Sequence, residues 1–259
     1  MKLAIWQCDP ANGQIESVFQ GLERQLAAAA AAGAEMLVAP ELLLPGYNRP
    51  DLHRALAQAQ DGPWMARLRG LAADTGCGIC LGWAERDGDR VHNAASAIGA
   101  DGSLLAHYRK IQLYGAVEQA SFQRGDRLCP VFRLGPFRAA ILVCYDIEFP
   151  GHAAALAAQG AQLILVPTAN PKGFEHVQNA LVPARAHENR AVVAYANYAG
   201  TEAGLHFGGL SLIAGPDGGA LASAGAWGEA LLVVDLACLP RIPAEGWAAE
   251  RGEYRPAGG

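Results

Sequence analysis

The run Arg138-Ala-Ala-Ile-Leu-Val-Cys144 passes at once into Tyr145-Asp146-Ile147-Glu148-Phe149-Pro150, and this junction constrains the fold more than any other feature of the chain. Ile141, Leu142 and Val143 form a short apolar run of the kind buried within a sheet. Pro150 suits the first turn of a helix, where its missing N–H has no partner to lose. A strand that turns directly into a helix implies an α/β architecture. It also puts the thiol of Cys144 in a turn whose backbone N–H groups can face a ligand. Taken alone, a free cysteine is more often a small buried hydrophobe than a nucleophile.

The same alternation runs through the chain. Ile15, Val18, Phe19, Leu22 and Leu26 mark one face of a helix that ends in an Ala-rich stretch and stops at Gly33. A buried strand over 35–39 leads into Pro40-Glu41, and a second helix runs from Asp61-Gly62-Pro63 to Gly76. Strands are expected over 78–85, 91–98 and 104–110, with Asp87-Gly88 and Asp101-Gly102 as the turns between them. The second half gives a strand over 138–144, a helix over 151–159 closed by Gly160, a strand over 162–166 and a helix over 174–190. A strand over 191–197, a hairpin around Pro216-Asp217-Gly218-Gly219 and a strand over 230–235 complete it. A purely parallel doubly wound sheet does not contain so many hairpins. Two packed sheets with helices outside both account for the order better. No internal repeat or linker divides the sequence, so a single domain over 1–259 is expected, with 249–259 a short polar tail.

Composition narrows the functional classes. With 51% apolar and 17% charged residues, the 259-residue chain can bury a sizeable core and is not disordered. The net charge of −5 and the lack of a Lys/Arg run leave no footprint for nucleic acid. No apolar run reaches the roughly 18 residues of a membrane span. The opening Met1-Lys2-Leu3-Ala4-Ile5-Trp6-Gln7-Cys8-Asp9 reads as a strand, not a signal peptide. Six scattered cysteines fit a reduced, cytoplasmic protein, not a disulfide scaffold. Cys77-Gly-Ile-Cys80 has redox-motif spacing, but in a strand these two residues face opposite sides, and a zinc site would need a second ligand pair. Gly208-Gly209 and Gly218-Gly219 lack the strand-to-helix setting of a phosphate loop.

Four segments carry candidate chemistry. Glu41 follows a buried strand, where α/β folds present catalytic groups; Lys110 ends another strand, and Glu118 follows it. Singly, Lys110 and Glu118 read as solvated surface charges. Together with Cys144 they compose a covalent hydrolase. The thiolate is the nucleophile, an ammonium favours it and stabilises an oxyanion, and a carboxylate moves the protons. His187-Glu188-Asn189-Arg190 has no second histidine at metal-ligand spacing and reads as a helix end, with Arg185 and Glu188 paired on one face. Asn170, after a strand and beside Cys144, is a candidate substrate-lining residue, as are the aromatics Tyr47, Tyr114 and Trp227.

The set Pro40-Glu41, Gly46-Tyr47, Tyr108-Arg109-Lys110, Glu118 and Cys144-Tyr145-Asp146-Ile147-x-Phe149-Pro150 resembles the nitrilase superfamily of carbon–nitrogen hydrolases, in order and spacing over almost the whole chain. The resemblance implies a four-layer α-β-β-α sandwich of two mixed sheets with helices on both outer faces. It implies that Glu41 is the general base and acid, Lys110 the oxyanion stabiliser and Cys144 the nucleophile. Glu118 would orient substrate and triad, and the Tyr145 N–H would complete the oxyanion hole. It implies no metal or organic cofactor, a small-molecule amide as partner, and a homodimer through the helices after Cys144 and over 174–190. Cys144-Tyr145-Asp146 is similar to the amidase and carbamoylase branches, whereas true nitrilases usually carry Cys-Trp-Glu. Gly151 and Gln112 depart from the Glu and His of many relatives. The implied reaction is hydrolysis of a small linear carboxamide to acid and ammonia through a thioester. N-carbamoyl hydrolysis is the alternative, with nitrile hydrolysis or an idle scaffold behind it. An isochorismatase-like hydrolase using Asp9 is disfavoured by the hairpins.

Overall fold

Glu41, Lys110 and Cys144 are brought together by two six-stranded mixed sheets in a computed structural model that describes residues 1–239. The expected tail over 249–259 lies outside the described residues. The chain runs through β1 (Lys2–Gln7), α1 (Ile15–Ala31), β2 (Ala34–Val38), α2 (Pro50–Leu56), α3 (Pro63–Thr75), β3 (Gly78–Asp87), β4 (Arg90–Ile98) and β5 (Leu104–Arg109). It continues with α4 (Gly115–Ser121), β6 (Phe132–Leu134), β7 (Phe137–Ile141), a 3₁₀ turn (Cys144–Glu148), α5 (Pro150–Ala158) and β8 (Leu163–Pro167). A π-helical turn (Val177–Leu181), α6 (Val182–Asn189) and β9 (Val192–Ala196) follow. The described part closes with the small hairpin β10 (Thr201–Glu202) and β11 (Leu205–His206), then β12 (Leu212–Ala214), β13 (Ala220–Ser223), β14 (Ala230–Asp235) and a 3₁₀ turn (Leu236–Cys238).

One sheet has the order β14-β1-β2-β3-β4-β5 and the other β13-β12-β9-β8-β7-β6. Each has a parallel centre, β1-β2-β3 and β7-β8-β9, flanked by antiparallel strands. This matches the two packed sheets expected, and the antiparallel pairs exclude a purely parallel fold. Alternation along the strands assigns the faces. Leu3 and Ile5, Met36 and Val38, Cys80, and Ala95 and Ala97 pack into the cluster shared with β7, β8 and β9. Ala4 and Trp6, Leu37, and Ile79 and Leu81 pack outward with α1 and α3. Cys77 and Cys80 accordingly belong to different clusters, and the described cysteines are all free thiols.

Several stretches differ from the expected elements, among them the strand expected over 138–144, which ends at Ile141 before the 3₁₀ turn. The helix over 174–190 is a π turn followed by α6. Pro183, at the start of α6, has no N–H to donate to the preceding turn, so regular spacing cannot run through. Helices α2 and α4, seven residues each, occupy stretches with no clear periodicity in the sequence.

The backbone carrying Glu41 lies directly on β3. Gly82 N–H donates to the Pro40 carbonyl at 3.0 Å and its carbonyl accepts from Leu43 N–H at 2.8 Å. A Cβ on Gly82 would stand 2.5 Å from Glu41 Cα and 2.5 Å from Leu42 N, both backbone atoms with no rotamer to escape into. Gly82→Ala is therefore expected to destabilise by about 1–3 kcal/mol through overpacking. Gly70→Ala, in α3 with nothing near a new Cβ, is expected to stabilise by up to about 1 kcal/mol. Thermal unfolding of both variants checks the pair; equal effects would contradict the packing account.

Candidate active site

Glu41 and Cys144 stand at the carboxyl ends of parallel strands, one from each sheet, the end at which such strands present chemistry, and Lys110 stands at the carboxyl end of the antiparallel edge strand β5. Glu41 follows β2, and its N–H donates to the Thr168 carbonyl just past β8 at 3.3 Å, tying the sheets together. Lys110 follows β5, its backbone held by Asn93 on β4 and by Gly125, both at 2.8 Å. Cys144 opens the 3₁₀ turn with φ at +44°, a left-handed conformation that costs a non-glycine residue on the order of 1–3 kcal/mol. The buried Asp146 carboxylate offsets this cost. It accepts Val143 N–H at 3.1 Å, Gln112 N–H at 2.8 Å and the Tyr108 hydroxyl at 2.8 Å, fixing the turn against β5.

The charged groups form one buried network. Lys110 Nζ donates to Glu41 Oε1 at 2.6 Å and to Glu118 Oε1 at 2.8 Å, and all three side chains are sealed from solvent. Asn93 donates to Glu41 Oε1 at 2.7 Å, the Tyr47 hydroxyl to Glu118 Oε1 at 2.9 Å, and Tyr114 N–H to Glu118 Oε2 at 3.3 Å. An ammonium has three donors, so one N–H of Lys110 is left over. Glu41 Oε2 is buried with no hydrogen-bond partner, an arrangement that costs about 1–3 kcal/mol.

Burial and neighbouring charge set the protonation of the site. Burial pushes Glu41 up to about 7, with Lys110 pulling it back and Glu118 adding to the rise. Burial pulls Lys110 down, but Glu118 and Glu41 outweigh it and hold the group well above its ordinary value, as an ammonium. Burial and the Glu41 charge raise the Cys144 thiol well above its ordinary value, against Lys110, Thr168 and the Ala169 N–H. Lys110 favours the Cys144 thiolate, as expected, but burial and the Glu41 charge outweigh it in the resting site.

A small cavity opens on Cys144. Tyr47, Tyr114, Tyr145 and Asn170 line it, as expected, together with Glu148 and Phe174. The Asn170 side-chain amide is already engaged with the Phe174 carbonyl at 3.0 Å and Gln178 Oε1 at 2.8 Å, so it braces the wall. Trp227 is a correction: it is 70% exposed, outside the cavity, with Lys172 Nζ 5.6 Å from its ring centroid. Arg185 pairs with Glu188 at 3.1 Å, as expected. Among the described residues no group of His, Cys, Asp or Glu is arranged to hold a metal. Asn93, Asp146 and Glu148 are site residues that sequence reasoning did not single out. For Asn93 the available signal was a polar side chain in a buried strand, a signal that His92 and Ser96 of the same strand share.

Residues 2–238 match the carbon–nitrogen hydrolase family. A protein described as a hydrolase in the pqqF 5′ region of Pseudomonas protegens is 41% identical over 91% of this chain and 82% of its own length. A Pyrococcus abyssi protein named nitrilase is 34% identical over 91% of this chain and 89% of its own. Among solved structures, a variant of the amidase from Nesterenkonia sp., with acrylamide added at its active-site cysteine, superimposes with a TM-score of 0.87. That match is 36% identical and covers 98% of this chain and 97% of the other. With the family matched from β1 to the final 3₁₀ turn and the sandwich in place, the chain belongs to the carbon–nitrogen hydrolases.

Proposed function

We propose that this protein hydrolyses a small linear carboxamide to the carboxylic acid and ammonia through a thioester on Cys144. The single observation that carries the reading is the unpartnered, buried Glu41 Oε2 beside an ammonium already held in place. A carboxylate with an idle oxygen and a pKa near 7 is suited to take and return protons at neutral pH. In the solved amidase structure the active-site cysteine carries a Michael adduct of acrylamide, which supports a nucleophilic role for the cysteine.

In this mechanism the Cys144 thiol passes its proton to Glu41 as sulfur attacks the amide carbonyl. The carbonyl oxygen takes the electron pair and is stabilised by the third N–H of Lys110 and by the Tyr145 N–H. Glu41 returns the proton to the amide nitrogen as the C–N bond breaks, and ammonia leaves. Water then attacks the thioester while Glu41 takes its proton. Collapse releases the acid, and Glu41 protonates the departing thiolate. Glu118 holds Lys110 through a second hydrogen bond and takes no proton. The cavity is smaller than most ligand pockets, which favours a short acyl chain. No arginine lines it, which disfavours N-carbamoyl amino acids, whose carboxylate would want a cationic partner. We also propose that the chain works as a cytoplasmic homodimer packed through α5 and the 174–190 segment; sedimentation velocity giving a monomer would refute the assembly.

Three outcomes test this reading. Cys144→Ala is expected to abolish ammonia release from a panel of short aliphatic amides while leaving the unfolding transition intact; retained turnover would refute the mechanism. Because Glu41 must be ionised to accept the thiol proton, kcat/KM should rise about tenfold per pH unit up to about 7 and then level off. A flat profile between pH 5 and 7 would contradict that role. Raised above its unfolded value, Glu41 contributes stability at low pH that is lost as pH rises through about 7. Glu41→Gln should match wild type at pH 3, below the unfolded value, and be more stable at pH 8, by up to about 3 kcal/mol for a shift from 4.5 to about 7. Chemical denaturation at the two pH values reads the difference.

A further inference from the structure

The catalytic cavity contains one charged side chain that the hydrolysis does not use. Glu148 ends the 3₁₀ turn that begins at Cys144, lines the cavity and is half-buried. Among the described residues its carboxylate accepts no hydrogen bond and joins no ion pair. The cations that influence it are His176, Lys110 and Arg185. Lys110 is held by Glu41 and Glu118. Arg185 is taken up by Glu188 at 3.1 Å and by the backbone carbonyls of Ile147 at 3.0 Å and of Glu148 at 2.9 Å. His176 stands exposed to solvent. Burial raises Glu148 from its ordinary value, so the carboxylate has lost water without gaining a partner.

What surrounds it is aromatic. Tyr114 packs edge-on against Tyr145 at 5.2 Å between ring centroids and against Phe174 at 5.8 Å, and all three line the cavity with Glu148. A carboxylate walled by aromatic rings suits an alkylammonium group. The N–H bonds pair with the carboxylate, and the charge and adjacent methylene rest against the rings. A neutral aliphatic chain would seal Glu148 from water and leave its charge unpaired. A substrate carboxylate would meet a like charge.

We propose that the preferred substrates are linear carboxamides carrying a protonated amine close to the carboxamide, with Glu148 as the ammonium-binding residue and Tyr114, Tyr145 and Phe174 as the walls. The inference rests on the amidase reading of Cys144 and names the substrate class for that site.

The test compares matched pairs in which an ammonium replaces a methyl group: glycinamide with propanamide, and β-alaninamide with butanamide. Ammonia release is measured at pH 7 with wild type and Glu148→Gln. Wild type is expected to favour the ammonium member of at least one pair by tenfold or more in kcat/KM, chiefly through a lower KM. Glu148→Gln is expected to bring that ratio within threefold of unity. An inductive effect of the ammonium on the carbonyl would survive the substitution, so an unchanged ratio in Glu148→Gln overturns the proposal. So does a wild type that turns over the neutral member of both pairs equally well or better, a comparison that needs no variant to fold. If no amide of either kind yields ammonia, the amidase reading falls first and this inference falls with it.

Discussion

A single buried ammonium, Lys110, held between Glu41 and Glu118, is the interaction on which the site depends. Taking three ionisable groups out of water is unfavourable unless their geometry and remaining hydrogen bonds are close to complete. Here they nearly are. Asn93 and Tyr47 complete two of the contacts, and Tyr114 contributes a backbone N–H. What is incomplete is informative: one Lys110 N–H and one Glu41 oxygen have no partner, and these are the two positions an oxyanion and a travelling proton need. Removing Lys110 would leave two buried carboxylates without compensation, so the ammonium is a structural commitment as well as a chemical one.

The sandwich exists, in functional terms, to hold that network against a thiol from the other sheet. Glu41 and Lys110 belong to one sheet and Cys144 to the other, and the contact from Glu41 N–H to the Thr168 carbonyl joins the two at the reacting end. Asp146 does the corresponding work for the nucleophile. Three donors converge on its carboxylate and keep the strained turn at Cys144 in register with Tyr108 on β5. Gly82 makes room for the Glu41 loop by having no side chain at all. In the proposed mechanism these packing constraints have catalytic consequences, since an ångström of displacement at Glu41 would uncouple its carboxylate from the thiol.

Much of this was legible in the sequence because apolar runs leading to Glu41 and Cys144, and an alternating strand leading to Lys110, mark strand ends, and strand ends are where α/β folds gather chemistry. The long strands β3 and β4 and helices α1 and α3 are readable from periodicity and turn residues for the same reason. What was not legible depends on tertiary contact. The π turn before α6 follows from Pro183 within a helical pattern. The short helices α2 and α4 bury too few residues to leave a period. Trp227 was a reasonable pocket candidate by residue type, yet no spacing rule fixes which way a loop aromatic faces. The balance at the Cys144 thiol also needs the fold, because the burial and the Glu41 charge that oppose Lys110 come from tertiary contact. Asn93, Asp146 and Glu148 need the sheets closed before their partners, or their lack of one, can be seen.

The central claim is that Glu41 carries the mobile proton of the site and titrates near neutrality because it is buried beside Lys110 and Glu118. Infrared difference spectroscopy of the carboxyl C=O stretch, followed as pH is raised through 7, reads this directly. The account predicts a protonated-carboxyl band that is lost around pH 7 in wild type and is missing from Glu41→Gln. A band that titrates identically in Glu41→Gln, or the absence of any carboxyl titrating near pH 7 in wild type, would contradict it.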